Sequence, residues 1–218
     1  MGFRNRRGCS LSRRNSVERF AVLHSVSIDS LVGEFLGTHC TDCIFNMTSG
    51  HGSCETGDCN GSFGCRKLGT SPITIAEFAP YSTSTLRYHV SLLKGFNVSM
   101  GFSTDNTTTI PICKSVGCPC DATQRCPEAL NFNVKNQKIG CFSPCDLLKD
   151  DRFCCRGNFT DAACQANEYS EYFQDTCKDA VTYPNDFNNT RITCSTSSSY
   201  IITFCPDETI PSLRVAAI

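Results

Sequence analysis

Apolar residues in this chain fall in short alternating runs rather than in helical stripes. The segment LRYHVSLLKGFNVSMGF mixes alternation with β-branched and aromatic positions. It predicts one or two strands around a turn at Lys94-Gly95. The stretch SSSYIITFC predicts a terminal strand. One segment has helical spacing: NEYSEYFQDTCKDA places Tyr169, Tyr172 and Phe173 on one face of a short helix. The tail PDETIPSLRVAAI has no obvious partner and is expected to be loose. No internal repeat is visible.

Cysteine changes this picture most. The chain has 18 Cys in 218 residues, a density that marks a disulfide scaffold in an exported chain. All but Cys9 lie from Cys40 onward. Cys40 to Cys65 form a tight cluster with Gly and polar residues between, and a second series runs from Cys113 to Cys164. Such spacing predicts stapled loops with little regular structure. Disulfides persist in oxidising compartments, so the body belongs outside the cell or in a vacuole. Six Asn-x-Ser/Thr sequons agree with export: Asn46, Asn60, Asn97, Asn106, Asn158 and Asn188.

The first 39 residues look different. They carry Arg4, Arg6, Arg7, Arg13 and Arg14, and Phe20-Ala21-Val22-Leu23 is cut off by His24. No signal-peptide core is visible; the Arg/Ser-rich leader also resembles an organelle transit peptide. SVSIDSLVGEFL is the one stretch expected to supply a strand. The formal charge of −1 argues against nucleic-acid or membrane binding by bulk charge. No apolar run approaches the length of a membrane span.

Three chemistries deserve weighing. Cys40-x-x-Cys43 beside His39 has zinc spacing, but a matched second pair is missing and Cys118-Pro-Cys120 fits poorly; no metal and no cofactor is expected. A cysteine nucleophile would need a His partner; His51 and His89 are available, but nothing singles out a thiol. Paired carboxylates could hydrolyse a sugar. Glu77 and Asp186 are candidates, and a solvated surface role is the commoner fate of each.

The residues then become recognisable. TDCIFN, SGHGSCETGDC, ITIAEF, HVSLLKGFNVSM, CPEAL, GCFSPC, FCC, YSEYFQDTC, KDAVTYPND and YIITFCP occur in the order found in one family. From about Thr41 to Pro206 the chain resembles the thaumatin-like proteins, the plant pathogenesis-related group of the osmotin and zeamatin type. The resemblance implies a mainly β fold: a flattened β-sandwich with a disulfide-rich subdomain of loops and short helices. The sandwich would comprise residues 40–112 and 178–206, and the bridged subdomain 113–177. Residues 1–39 would form a divergent, poorly packed head in place of the opening strands, and 207–218 a tail.

The family's pairings imply Cys43–Cys54, Cys59–Cys65, Cys113–Cys194, Cys118–Cys177, Cys126–Cys141, Cys145–Cys154 and Cys155–Cys164. An eighth would be Cys9–Cys205, leaving Cys40 and Cys120 over. The family cleft is lined by one Arg and four acids. Glu77 and Asp186 match two of the acids, His89 and Lys94 replace two others, and the Arg falls near Cys40. The resemblance thus implies a weakened acidic cleft at Glu77, His89, Lys94 and Asp186. It implies a secreted monomer of the apoplast or vacuole, antifungal or binding β-1,3-glucan or a fungal surface component. The alternatives are an inhibitor of a microbial glycosidase, a weak endo-β-1,3-glucanase using Glu77 and Asp186, and a truncated member without activity.

Overall fold

The computed structural model describes residues 21–26, 33–39, 43–46, 48–62, 68–104, 113–119, 121–186, 190–195, 200–206 and 213–216. Its strands in chain order are β1 (Ala21–Val26), β2 (Gly33–His39), β3 (Cys43–Phe45), β4 (Gly52–Cys54), β5 (Ile75–Pro80), β6 (Thr85–Ser91), β7 (Met100–Thr104) and β8 (Val116–Cys118). There follow β9 (Asn131–Val134), β10 (Gln137–Cys141), β11 (Ile192–Ser195), β12 (Tyr200–Phe204) and β13 (Leu213–Ala216). Three short helices, α1 (Pro144–Leu148), α2 (Asp151–Cys154) and α3 (Glu168–Thr176), lie between β10 and β11.

Two antiparallel sheets dominate. One has the order β1-β2-β5-β6-β11 and the other β13-β12-β7-β8. Alternation decides which face each strand buries. On β7, Met100, Phe102 and Thr104 turn inward; on β12, Tyr200, Ile202 and Phe204 do the same. Phe102 packs on Tyr88 with ring centroids 4.6 Å apart and meets Phe78 edge-on at 6.3 Å and Tyr200 at 5.9 Å. Tyr88 and Phe78 come from the first sheet, so this aromatic cluster joins the two layers. Burial of each ring contributes about 1.5–3 kcal/mol. The Tyr88 hydroxyl escapes an unpaired fate by donating to the Lys114 carbonyl at 2.6 Å.

The chain passes from β6 to β7 through the turn expected at Lys94-Gly95, where the Gly95 amide donates to the Leu92 carbonyl at 2.8 Å. Gly95 has φ +94°, and a Cβ there would lie 2.4 Å from the Cys141 carbonyl oxygen. Conformation and space both demand glycine.

Two expectations are corrected. Residues 1–39 were expected to give at most one strand, from SVSIDSLVGEFL, in a poorly packed head. Instead β1 and β2 pair as an antiparallel hairpin, and β2 pairs with β5. β1 ends and β2 begins within the segment read as one strand, and β1 uses the run that His24 had interrupted. A single polar residue does not end a strand, because its side chain occupies one face only. The tail is also paired: β13 lies against β12. Four residues carry too little pattern to predict a strand, but a neighbouring edge supplies their hydrogen bonds.

Among the described residues six disulfides are Cys43–Cys54, Cys113–Cys194, Cys118–Cys177, Cys126–Cys141, Cys145–Cys154 and Cys155–Cys164. Cys59 is disulfide-bonded as well. Cys9, Cys40, Cys65 and Cys120 lie outside the described residues, so the expectations for Cys59–Cys65 and Cys9–Cys205 do too. The helical segment is as read: Asn167 caps α3 by accepting from the Tyr169 and Ser170 amides, and Phe173 is fully buried.

Candidate functional site

Pairing in the first sheet creates a row of charge. Glu34 on β2 stands opposite Glu77 on β5, and Glu77 stands opposite His89 on β6. The Ile192–Tyr88 pairing puts Arg191, one residue before β11, level with His89. On β6, Leu86, Tyr88 and Val90 are buried. Arg87 and His89 therefore share the opposite face. Together Glu34, Glu77, Phe78, Ala79, Arg87, His89 and Arg191 line a cleft of about 180 Å³.

Glu77 Oε2 lies 3.0 Å from His89 Nε2. The two atoms are within ion-pair distance but outside hydrogen-bond alignment, and His89 Nδ1 has no hydrogen-bond partner. Burial alone would raise the Glu77 carboxyl. His89, a hydrogen bond from Ser91 and the Arg191 guanidinium outweigh it and hold Glu77 below the usual carboxylate range. Glu34 moves the other way: burial first, and then repulsion from Glu77, raise it. At the rim, the Arg87 guanidinium stacks over the Tyr81 ring, 4.1 Å from its centroid. Tyr81 is 61% exposed, so its ring stands open to solvent beside a line of hydrogen-bonding charges.

A second depression, of about 150 Å³, lies between the β6–β7 turn and the helical segment. Leu93, Lys94, Ser143, Pro144, Asp146, Phe153, Thr182 and Tyr183 are on its walls. Lys94 Nζ sits 3.0 Å from Asp146 Oδ1, and the Ser71 hydroxyl donates to the other carboxylate oxygen. Burial pushes the Asp146 carboxyl up, but Ser71, Lys94 and Lys149 prevail and bring it below its ordinary value.

The sequence profile of the Thaumatin family matches residues 9–206. The chain belongs to the thaumatin family. A thaumatin-like protein of Actinidia deliciosa is 36% identical over 168 residues, 76% of this chain and 68% of that protein. Pathogenesis-related protein 5 of Arabidopsis thaliana is 38% identical over 168 residues, with the same shares of 76% and 68%. Zeamatin of Zea mays is 36% identical over 167 residues, 76% of this chain and 70% of that protein. Among solved structures, the thaumatin-like xylanase inhibitor TLXI aligns over 45% of this chain and 64% of that one, at 31% identity and a TM-score of 0.31.

The four cleft positions expected from the thaumatin family do not share one site here. Glu77 and His89 face the first cleft; Lys94 lines the second and pairs with Asp146. Asp186 is buried, and its Oδ2 accepts from both the Thr182 amide and the Thr182 hydroxyl at 2.9 Å. It therefore holds the turn from Thr182 to Asp186; it does not line the Glu77 cleft, but its charge reaches Arg191 there. Lys94 was expected to alter the field around Glu77. His89 and Arg191 act on Glu77 instead, and Lys94 pairs with Asp146. Sequence reasoning missed Glu34, Tyr81, Arg87, Asp146 and Arg191. The alternation of β6 pointed to Arg87 beside His89. No local signal places Glu34 beside Glu77, because that needs the β2–β5 pairing.

The remaining candidates are readily placed. Cys43 is in a disulfide, so its sulfur is not available to the zinc site weighed with His39 and Cys40; among the described residues no cluster of His, Cys, Asp and Glu has metal-binding geometry. Thirteen of the described cysteines are disulfide-bonded, which removes them as nucleophiles for His51 or His89. Asn46, Asn60 and Asn158 are exposed, whereas Asn106 and Asn188 lie outside the described residues. Asn97 is a correction. It is only 1% exposed, its amide donates to Thr56 Oγ1 at 3.1 Å and its carbonyl accepts from the Thr74 amide. A glycan on that nitrogen is incompatible with the folded packing.

Proposed function

We propose that this chain is an extracellular or vacuolar plant defence protein that binds a cell-wall polysaccharide, β-1,3-glucan, across the face of β5 and β6. The observation that carries this reading is the exposed Tyr81 ring, held by Arg87 beside the Glu77–His89 pair. An open ring offers a flat apolar surface to a sugar, and fixed charges offer partners to its hydroxyls. Family membership and the disulfides support the defence role and an oxidising location.

Binding is favoured over hydrolysis by the Glu77 and Asp186 pair. A general acid must keep its proton, and Glu77 is held ionised while Asp186 is occupied by Thr182. Soluble laminarin tests the reading by calorimetry. Wild type should bind, and Tyr81→Ala should weaken binding by about tenfold, the loss expected when a stacking contact of about 1–1.5 kcal/mol is removed. No reducing ends should be released. Absence of laminarin binding, or undiminished binding by Tyr81→Ala, would overturn it.

A further inference from the structure

We propose that Asn46 carries an N-linked glycan and is the preferred acceptor over the other exposed sequons, Asn60 and Asn158. The inference rests on the proposed export of this chain and not on the polysaccharide it binds. The sugar comes from a lipid-diphosphate oligosaccharide of the secretory pathway.

Asn46-Met47-Thr48 is a sequon. It begins where β3 turns back toward β4, on a hairpin closed by the Cys43–Cys54 bridge. The Asn46 amide donates to the His51 carbonyl at 2.9 Å, and its carbonyl accepts from the Gly50 amide at 2.8 Å. Its side-chain Oδ1 accepts from the Thr48 amide at 2.9 Å and from the Ser49 amide at 3.1 Å. Two backbone donors on one atom fix which end of the carboxamide is oxygen. The Nδ2 end has no partner among the described residues, and Asn46 is exposed. Pairing runs one step past β3, so Ile44 and Asn46 share a face. Ile44 is 81% exposed, so that face is open beside the acceptor nitrogen.

Transfer breaks the bond between C1 of the first sugar and its diphosphate oxygen and forms a bond from C1 to Nδ2. One Nδ2 proton goes to a base of the transferase, and the lipid diphosphate leaves. Donors on Oδ1 draw electron density from the carboxamide and ease that proton loss. They lie two and three residues away, so this Asx turn needs only the local chain and can form before the tertiary fold. The Thr48 hydroxyl is exposed and makes no hydrogen bond among the described residues, which leaves it to the transferase.

The other described sequons lack this arrangement. After Asn60, the Ser62 amide donates to the Cys59 carbonyl at 3.3 Å, and Gly61 is tied to both Asp58 and Gly52. After Asn158, the Thr160 hydroxyl donates to the Gly157 carbonyl at 3.4 Å. Asn97 is enclosed by Thr56 and Thr74.

The test secretes the full chain from a eukaryotic host behind a cleavable signal peptide and digests it with trypsin. A peptide N-glycosidase in heavy-oxygen water then converts each glycosylated Asn to a mass-tagged Asp, and a digest without that enzyme corrects for spontaneous deamidation. Asn46 should carry the tag, at higher occupancy than Asn60 or Asn158. Thr48→Ala keeps both backbone donors and should lose the tag at Asn46, with the intact mass falling by one glycan. Thr48→Ser keeps the hydroxyl and should retain the glycan. The wild-type occupancies decide the matter even where a variant is poorly secreted. An untagged Asn46, equal or higher occupancy at Asn60 or Asn158, or a tag that survives Thr48→Ala overturns the inference. Laminarin binding by protein untagged at Asn46 sinks this inference alone. A tag at Asn46 without laminarin binding sinks the β-1,3-glucan reading alone.

Discussion

Glu34, Glu77 and Asp146 show how the same side-chain chemistry is tuned by neighbours. Glu77 and Asp146 are both partly desolvated, and both are pulled down by adjacent cations and donors. Their depressed values stabilise the fold above the ordinary carboxylate range, and this stability is lost as pH falls through the depressed values. Glu34 has the opposite sign: its raised value favours the fold in acid, and that contribution is lost as pH rises through the raised value. Urea midpoints measured from about pH 7 to about pH 3 across the reference range of these groups should therefore fall on the acid side. Asp146→Asn should flatten that fall, while Glu34→Gln should raise the midpoint near neutrality relative to wild type. An acid limb unchanged in Asp146→Asn would show that Asp146 and its pairing with Lys94 do not govern it.

At the scale of elements, the cross-links do what local propensity cannot. The helices of the bridged region are 5, 4 and 9 residues long, too short to persist alone. Caps and bridges hold them. Ser143 caps α1 and Asp150 caps α2, while Cys145–Cys154 ties these two helices together. Cys126–Cys141 closes a loop with a sequence separation of 15. Such a closure is worth about 3 kcal/mol through the unfolded chain. The Cys126→Ala/Cys141→Ala double variant should lose about that much in urea unfolding, with most of the tyrosine-sensitive near-ultraviolet signal retained at zero urea. A loss below about 1 kcal/mol would mean that the unfolded chain is already restrained there.

At the scale of the molecule, the two sheets depend on one aromatic junction, and the proposed recognition surface lies apart from it. Phe102 touches Phe78, Tyr88 and Tyr200 and is fully buried. Phe102→Ala should cost about 3–5 kcal/mol, because the rings around it cannot all close the cavity. Tyr81→Ala, on the exposed face, should change stability by no more than about 0.5 kcal/mol. Paired urea unfolding and ligand titration would separate the two. A large stability loss in Tyr81→Ala would mean that the Arg87 contact is structural.

The alternation of β6 and β7 was legible in the sequence, because a period of two is a property of the local chain, and the order of the cysteine-bearing motifs carried the family resemblance. The capped segment of α3 was legible for the same reason. Which strands become neighbours was not. Glu34 beside Glu77, the hairpin of β1 and β2, and the pairing of β13 with β12 all depend on hydrogen bonds between distant segments. Alternation assigns a side chain to a face but does not choose the strand next to it. The same limit explains Asn97, whose sequon reads as a surface signal although Thr56 and Thr74 enclose it. It also explains Lys94, a cation expected near Glu77 that the turn at Gly95 delivers to Asp146. The sequence by itself determined the strands on either side of Lys94-Gly95, the short helix and a disulfide-rich chemistry. Only the tertiary structure decided which charges meet, because electrostatic pairing is set by distances that chain spacing does not encode.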